Sequence, residues 1–140
     1  MDQTSTCALW EEQRLSGPDK ESRLRLILKT RVMEEIMVIR CTGRIAYGID
    51  AAALADEISE RLPQTRQLVI DMSGVEMVDA AGLGELVSVA VAAQASQCSL
   101  KLAAPNALIR QVLELTHLIS IFEVYPSLDA ATFAFSEQAA

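Results

Sequence analysis

The sequence predicts an α/β fold, a mixed sheet of four to five strands with about four flanking helices. Three observations predict it. The stretch RLRLILKTRV (residues 23–32) alternates apolar and basic residues, the period-two mark of a half-exposed strand. The stretch QLVIDMSG (residues 67–74) is apolar on both faces at Leu68, Val69 and Ile70, as in a strand covered on both sides. Beyond it, strand-like and helix-like segments alternate to the C-terminus, which implies strands joined by packed helices.

The elements follow in order. Residues 1–22 are mixed and polar and end in SGPDKES. They read as an arm joined by a Gly-Pro linker to one domain at residues 23–137. Within the arm, residues 6–15 can form a short helix with Leu9 and Trp10 as its apolar handle. In the first strand Leu24, Leu26 and Leu28 point one way, and Arg23, Arg25, Lys29 and Arg31 the other. A polar break at Glu34 and Glu35 leads into IMVIRCTG, a more buried strand and its hairpin partner. Gly43 and Gly48 bracket a loop. Asp50 suits a helix N-cap; Ala51, Leu54, Ala55, Ile58 and Leu62 follow at helical spacing, and Pro63 closes that helix.

After the interior strand, a helix starts near Ala81. It carries Leu83, Leu86, Val87, Ala90, Val91 and Gln94 on one face. SLKLAA (residues 99–104) is a second short strand. Pro105 can start the next helix, since a first-turn proline loses no hydrogen bond; Leu108, Ile109, Val112 and Leu113 form its buried stripe. IFEVY (residues 121–125) is a last strand. Ser127 caps a C-terminal helix carrying Leu128, Ala131 and Phe135. The order is β-β-α-β-α-β-α-β-α, with no internal repeat.

Composition bounds the function. A chain of 140 residues fits one domain and can bury a core. At 51% hydrophobic residues, wholesale disorder is not expected. No apolar run reaches the roughly 18–20 residues that span a bilayer, so no membrane insertion is expected. The start MDQTSTCALWEEQ lacks the basic region and apolar core of a secretory signal, which points to a cytoplasmic protein. The net charge of -7 argues against nucleic acid, whose binding rests on Lys and Arg. An acidic surface suits a basic protein partner. Cys7, Cys41 and Cys98 are odd in number and form no C-x-x-C pair, so they read as buried or idle thiols. His117 is the only histidine, and no ligand spacing for a metal is present. No metal and no cofactor are expected.

The enzyme motifs G-x-S-x-G, H-E-x-x-H and the P-loop are missing. Gly82-Leu83-Gly84 is a G-x-G without the third glycine of a dinucleotide fingerprint. Asp71 and Asp79 lie near strand ends, where α/β ligand sites occur. With no His, Cys or basic partner nearby in sequence, each reads as a capping or loop carboxylate. No catalytic residue is assigned and no turnover is expected.

The most informative stretch is VEMVDAAGLGELVSVA (residues 75–90). Asp79 or Ala80 sits at the N-cap of the helix. An aspartate there accepts hydrogen bonds from unpaired N–H groups at the positive end of the helix dipole, each effect being worth about 1 kcal/mol or less. Gly82 and Gly84 leave the first turn bare, so another surface can approach its backbone. A bare helix N-terminus also suits an anion. Packing of helix on strand is an alternative reason for the same small residues.

The run LVIDMSGVEMVDAAGLGELVSVAVAA, then SLKLAA, then PNALIRQVLELTHLISIFEVYPSLDAA resembles the STAS domain. This is the family of bacterial anti-sigma factor antagonists, whose relatives form the cytosolic tails of anion transporters. The resemblance covers residues 24–135 in order and spacing, and it implies a mixed sheet flanked by helices. In the antagonists the turn usually reads D-S-S-G-L-G. The serine before the first glycine is phosphorylated by an anti-sigma factor that is itself a serine kinase. The unphosphorylated antagonist binds that kinase and frees the sigma factor; phosphate prevents binding.

By position, Asp79 matches the motif aspartate, and Gly82 and Gly84 match the glycines. Ala81 falls on the phosphoacceptor position and Ala80 replaces the other serine. The resemblance thus implies a partner-binding turn of Asp79, Ala80, Ala81, Gly82, Leu83 and Gly84. Its implied partner is a serine-kinase-type anti-sigma factor or another STAS-interacting regulator. A methyl group cannot accept phosphate, so the usual switch, nearly two negative charges at the contact, is absent from this turn. Three consequences are open: constitutive binding, regulation at another residue such as Ser73, Ser88 or Thr65, or a STAS domain with no sigma-factor role. For Ser73, within the D-x-S-G strand ending, a structural hydroxyl is the first reading. Two competing classes stand beside the antagonist: an accessory subunit of a membrane transporter of the lipid-transport ATPase type, and a small-ligand or nucleotide-binding domain.

Overall fold

The structure, a computed structural model, describes residues 11–14, 26–46 and 49–139. Among them six strands form one sheet: β1 (Glu11–Arg14), β2 (Ile27–Met33), β3 (Ile36–Ile45), β4 (Gln67–Val78), β5 (Ser99–Ala103) and β6 (Glu123–Tyr125). Their spatial order is their chain order. β1, β2 and β3 pair antiparallel, whereas β3 through β6 pair parallel. Four helices connect or follow the parallel strands: α1 (Ile49–Arg61), α2 (Ala80–Ala95), α3 (Ala107–Leu115) and α4 (Leu128–Ala139). The single α/β domain with a mixed sheet is therefore the fold the sequence predicts.

Period-two alternation divides the sheet into two faces. Leu26 and Leu28, then Ile39, Leu68, Ile70 and Met72, point to the face covered by α1, α2 and α3, where Leu54, Ile58, Leu86 and Leu113 meet them. Each such side chain is worth about 1.5–3 kcal/mol on full burial, so this layer dominates stability. The opposite face is a smaller layer: Ile36, Val38, Val69 and Ala103 pack against Ala131 and Phe135 of α4. Ser127 caps α4 as predicted, its Oγ accepting from Ala130 N at 3.0 Å.

Several expectations need correction. The sixth strand, β1, lies inside the segment expected as a helix. Its four residues gain hydrogen bonds along one edge by pairing with β2, where a short isolated helix is marginal on its own. The rest of that segment, Leu9 and Trp10 included, lies outside the described residues, as do Arg23, Leu24, Arg25 and Gly48. Gly43 does not open a loop: it sits within β3 with φ 114°, at a register shift that lets the strand run on to Ile45. α1 starts at Ile49, which puts Asp50 in its first turn, not at its cap. α3 starts at Ala107 with Asn106 as N-cap, so Pro105 precedes the helix; Leu108 is exposed while Ile109 and Leu113 are buried. On α2 the buried row is Gly82, Leu86, Val89 and Ala93, and Val91 is 61% exposed. Gln94 is exposed too. β6 begins only at Glu123, leaving Ile121 exposed and Phe122 buried.

Among the described residues one cation is fully buried. Lys101 of β5 lies beneath α4, paired with the Glu123 carboxylate. Its Nζ is 4.5 Å from the Phe135 ring centroid and 5.2 Å from that of Tyr125. Replacing a buried ion pair's member with an apolar group of similar length is often neutral or stabilising, whereas stranding one charge is costly. Lys101→Met should therefore hold or raise stability. Glu123→Ala should lower it by about 1–2 kcal/mol, less than a fully buried pair loses because water reaches this site. Urea unfolding of both variants checks the order; a large loss in Lys101→Met with none in Glu123→Ala would contradict it.

Candidate docking site at the head of the second helix

β4 is interior, between β3 and β5. It ends at Val78, and α2 begins at Ala80. Asp79 is the single residue between them, so the turn is held on both sides by regular structure. Its backbone is extended (φ -94°, ψ -176°), as an N-cap requires. Oδ1 accepts from Gly82 N at 2.8 Å. Asp79 N donates to Ile45 O at 3.3 Å, and Leu83 N donates to Asp79 O at 2.8 Å. The cap thus ties the helix head to the end of β3.

The two glycines do different things. A Cβ on Gly82 would stand 2.0 Å from Ile45 O and 2.8 Å from Ile45 C. Gly82 is buried because this chain's own β3 backbone lies against it. A Cβ on Gly84 would meet nothing within 4 Å, and Gly84 is exposed. Ala80 and Ala81 are exposed, Leu83 is half-buried, and Asp79 is half-buried. Asp79, Gly82 and Leu83 therefore hold the turn in place. Ala80, Ala81 and Gly84 present a nearly side-chain-free surface at the positive end of a 16-residue helix.

Sequence reasoning missed Asn106. Its Oδ1 caps α3 by accepting from Ile109 N at 2.8 Å, and its Nδ2 donates to Val75 O and Glu76 O, each at 3.2 Å. It fastens α3 to β4 just before the turn at residues 79–84. The signal was present, an asparagine directly before the apolar-periodic residues of a helix, but the preceding proline outweighed it.

Asp71 is neither a cap nor a loop residue. It is buried in β4, with Oδ2 3.0 Å from Arg40 Nε and Oδ1 accepting from Ser73 N at 3.0 Å. The basic partner invisible in sequence comes from the neighbouring strand. Of the alternative hydroxyls, Thr65 is turned into its own loop, bonded both ways to Gln67. Ser73 and Ser88 are exposed. Ser88 lies seven positions after Ala81, hence on the same face of α2 and about 10 Å along it.

Cys41 and Cys98 are buried. Burial, with a smaller contribution from the Asp71 charge, pushes the Cys41 thiol up to about 12, and burial also raises Cys98. Both are protonated and inert at neutral pH; Cys7 is outside the described residues. His117 is exposed, with φ 64°. Among the described residues no group of His, Cys, Asp and Glu is placed to hold a metal, and no helix is long and apolar enough to cross a membrane.

Comparison with known proteins agrees with this architecture. BtrV of Bordetella bronchiseptica, a protein named as an anti-sigma factor antagonist, is 29% identical over 100 residues, 71% of this chain and 86% of its own. The crystal structure of an anti-sigma factor antagonist from Mycobacterium paratuberculosis superposes with a TM-score of 0.70 at 26% identity, covering 78% of this chain and 92% of that one. A sulfate transporter family protein from Wolinella succinogenes shares the fold, with a TM-score of 0.64 at 16% identity over 78% of this chain and 92% of the other. The STAS domain family model matches residues 28–131, most of the chain, and the chain belongs to the STAS domain family.

Proposed function

We propose that the protein is a cytoplasmic anti-sigma factor antagonist that binds a kinase-type anti-sigma factor through the turn at residues 79–84 and does so without the usual phosphorylation switch. One observation carries this reading: Ala80, Ala81 and Gly84 are exposed together on a first turn that Asp79 and Gly82 lock to β3. A rigid, bare helix head loses little conformational freedom on binding, which favours affinity. The likeness to BtrV, named as an anti-sigma factor antagonist, supports the partner class.

Ala81 has no hydroxyl, so the reading makes binding constitutive at this position. If regulation by phosphate exists, Ser88 is the best placed of the hydroxyls, on the same exposed face of α2. The reading assigns no turnover to the protein; its output is occupancy of the partner. Pull-down from the native host tests it. Recovery of a kinase-like anti-sigma factor, reduced by Ala81→Glu, is the expected result. Recovery of transporter ATPase subunits in its place would reject the antagonist reading.

A further inference from the structure

We propose that the groove between the β2–β3 hairpin tip and α4 is a second docking surface, for a partner segment that combines apolar and basic side chains. The floor is apolar: Met33 and Ile36 from the hairpin and Phe133 from α4 line a cavity of about 350 Å³. A second cavity of about 240 Å³ continues it, sharing Glu34, Ile36 and Ser136. Phe133 is 63% exposed. On α4 the inward row is Leu128, Ala131 and Phe135. Asp129, Thr132, Phe133 and Ser136 fall at i, i+3, i+4 and i+7, a second stripe turned toward the groove. An aromatic ring displayed in that way is the type of anchor that interfaces bury.

The rim fixes the partner's chemistry. Glu34, Glu35 and Asp129 are exposed around the floor. None of the three takes part in an ion pair among the described residues, and no Lys or Arg is among the described residues that line either cavity. Arg31, whose guanidinium donates to Met33 Sδ at 3.2 Å, offsets part of this charge, but three carboxylates face it. An apolar floor inside this net acidic rim complements a segment with an apolar side chain between Lys or Arg. The site is remote from the turn at residues 79–84. β4 begins at Gln67, which lines the second cavity, and ends at Val78, directly before Asp79. Twelve strand residues separate the two by roughly 35–40 Å. Both surfaces can be occupied at once, which makes the domain a bridge.

The test uses the full chain, isotopically labelled for amide NMR, and three short synthetic peptides. One combines Leu with Lys, one Leu with Glu, and one Ser with Lys. The expected result is that only the Leu–Lys peptide binds and that its shifts are confined to residues 33–36, 67 and 128–137. Phe133→Ser, a surface change, should weaken this binding about tenfold or more. Glu34→Asn keeps a residue that tolerates the φ of 60° found there. It should weaken binding about threefold and lessen its salt dependence. Ala81→Glu should leave it unchanged, so failure here is distinct from failure of the first site. No binding of the Leu–Lys peptide, equal binding of the Ser–Lys peptide, shifts spread over the whole acidic surface, or indifference to Phe133→Ser would each overturn the proposal.

Discussion

Gly82→Ala should lower the unfolding free energy by about 3 kcal/mol or more, the upper end for overpacking. The added methyl would have to occupy space 2.0 Å from the Ile45 carbonyl oxygen. That oxygen belongs to backbone and cannot swing aside as a flexible side chain can. Ile45 is paired with Val78 in the sheet and accepts from Asp79 N, so relief requires moving the helix head or breaking the β3–β4 pairing. Gly84→Ala supplies the control. Its methyl meets nothing within 4 Å and should raise stability by about 0.5–1 kcal/mol, because alanine is the better helix former. Urea denaturation of the two variants reads the contrast directly. Equal effects of the two substitutions would mean that α2 does not seat on β3 as described.

Ala81→Glu should weaken binding to the proposed anti-sigma factor by several-fold to a hundredfold, about 1–3 kcal/mol for a carboxylate buried without a partner. The free protein should not suffer: Ala81 is exposed, and an acid at a helix N-terminus is favourable by a few tenths of a kcal/mol or more. Ala81→Ser should bind as wild type does and become a substrate if the partner is a serine kinase. Titration calorimetry of the three proteins, with circular dichroism to check folding, separates these outcomes. Equal affinity for all three would remove the turn from the contact.

What could be read from sequence was what depends on near neighbours. The alternation in β2, the spacing of Ala51, Leu54 and Ile58 in α1, and the Asp79 cap are local patterns, and each element formed where its pattern lay. α2 shows the limit. AAGLGELVSVAVAA is apolar almost all round, so periodicity cannot choose the inward stripe. The choice is made by Ile45, on another strand, whose carbonyl leaves room only for Gly82. The division of labour between Gly82 and Gly84 is invisible for the same reason. Likewise Asp71 acquired its cation from β3. β1 pairs across a stretch of chain with no local signal. Asn106 and Pro105 offered competing local starts for α3, and the asparagine prevailed because its side chain also reaches the end of β4.

The order of the sheet has a further consequence, for solubility. Among the described residues the outermost strands are the shortest: β1 has 4 residues and β6 has 3. The long apolar strand β4, with 12 residues, is enclosed between neighbours. An outermost strand offers unpaired N–H and C=O groups to any passing chain, and the hazard grows with its length and flatness. At β6 a stray strand would find three residues to template on before Pro126, which has no N–H to offer. The segment most able to propagate cross-β pairing, QLVIDM, becomes available only if β3 or β5 is peeled off. Aggregation through the β6 side of the sheet should therefore track global unfolding and not concentration of the folded state, a kinetic protection written into strand length.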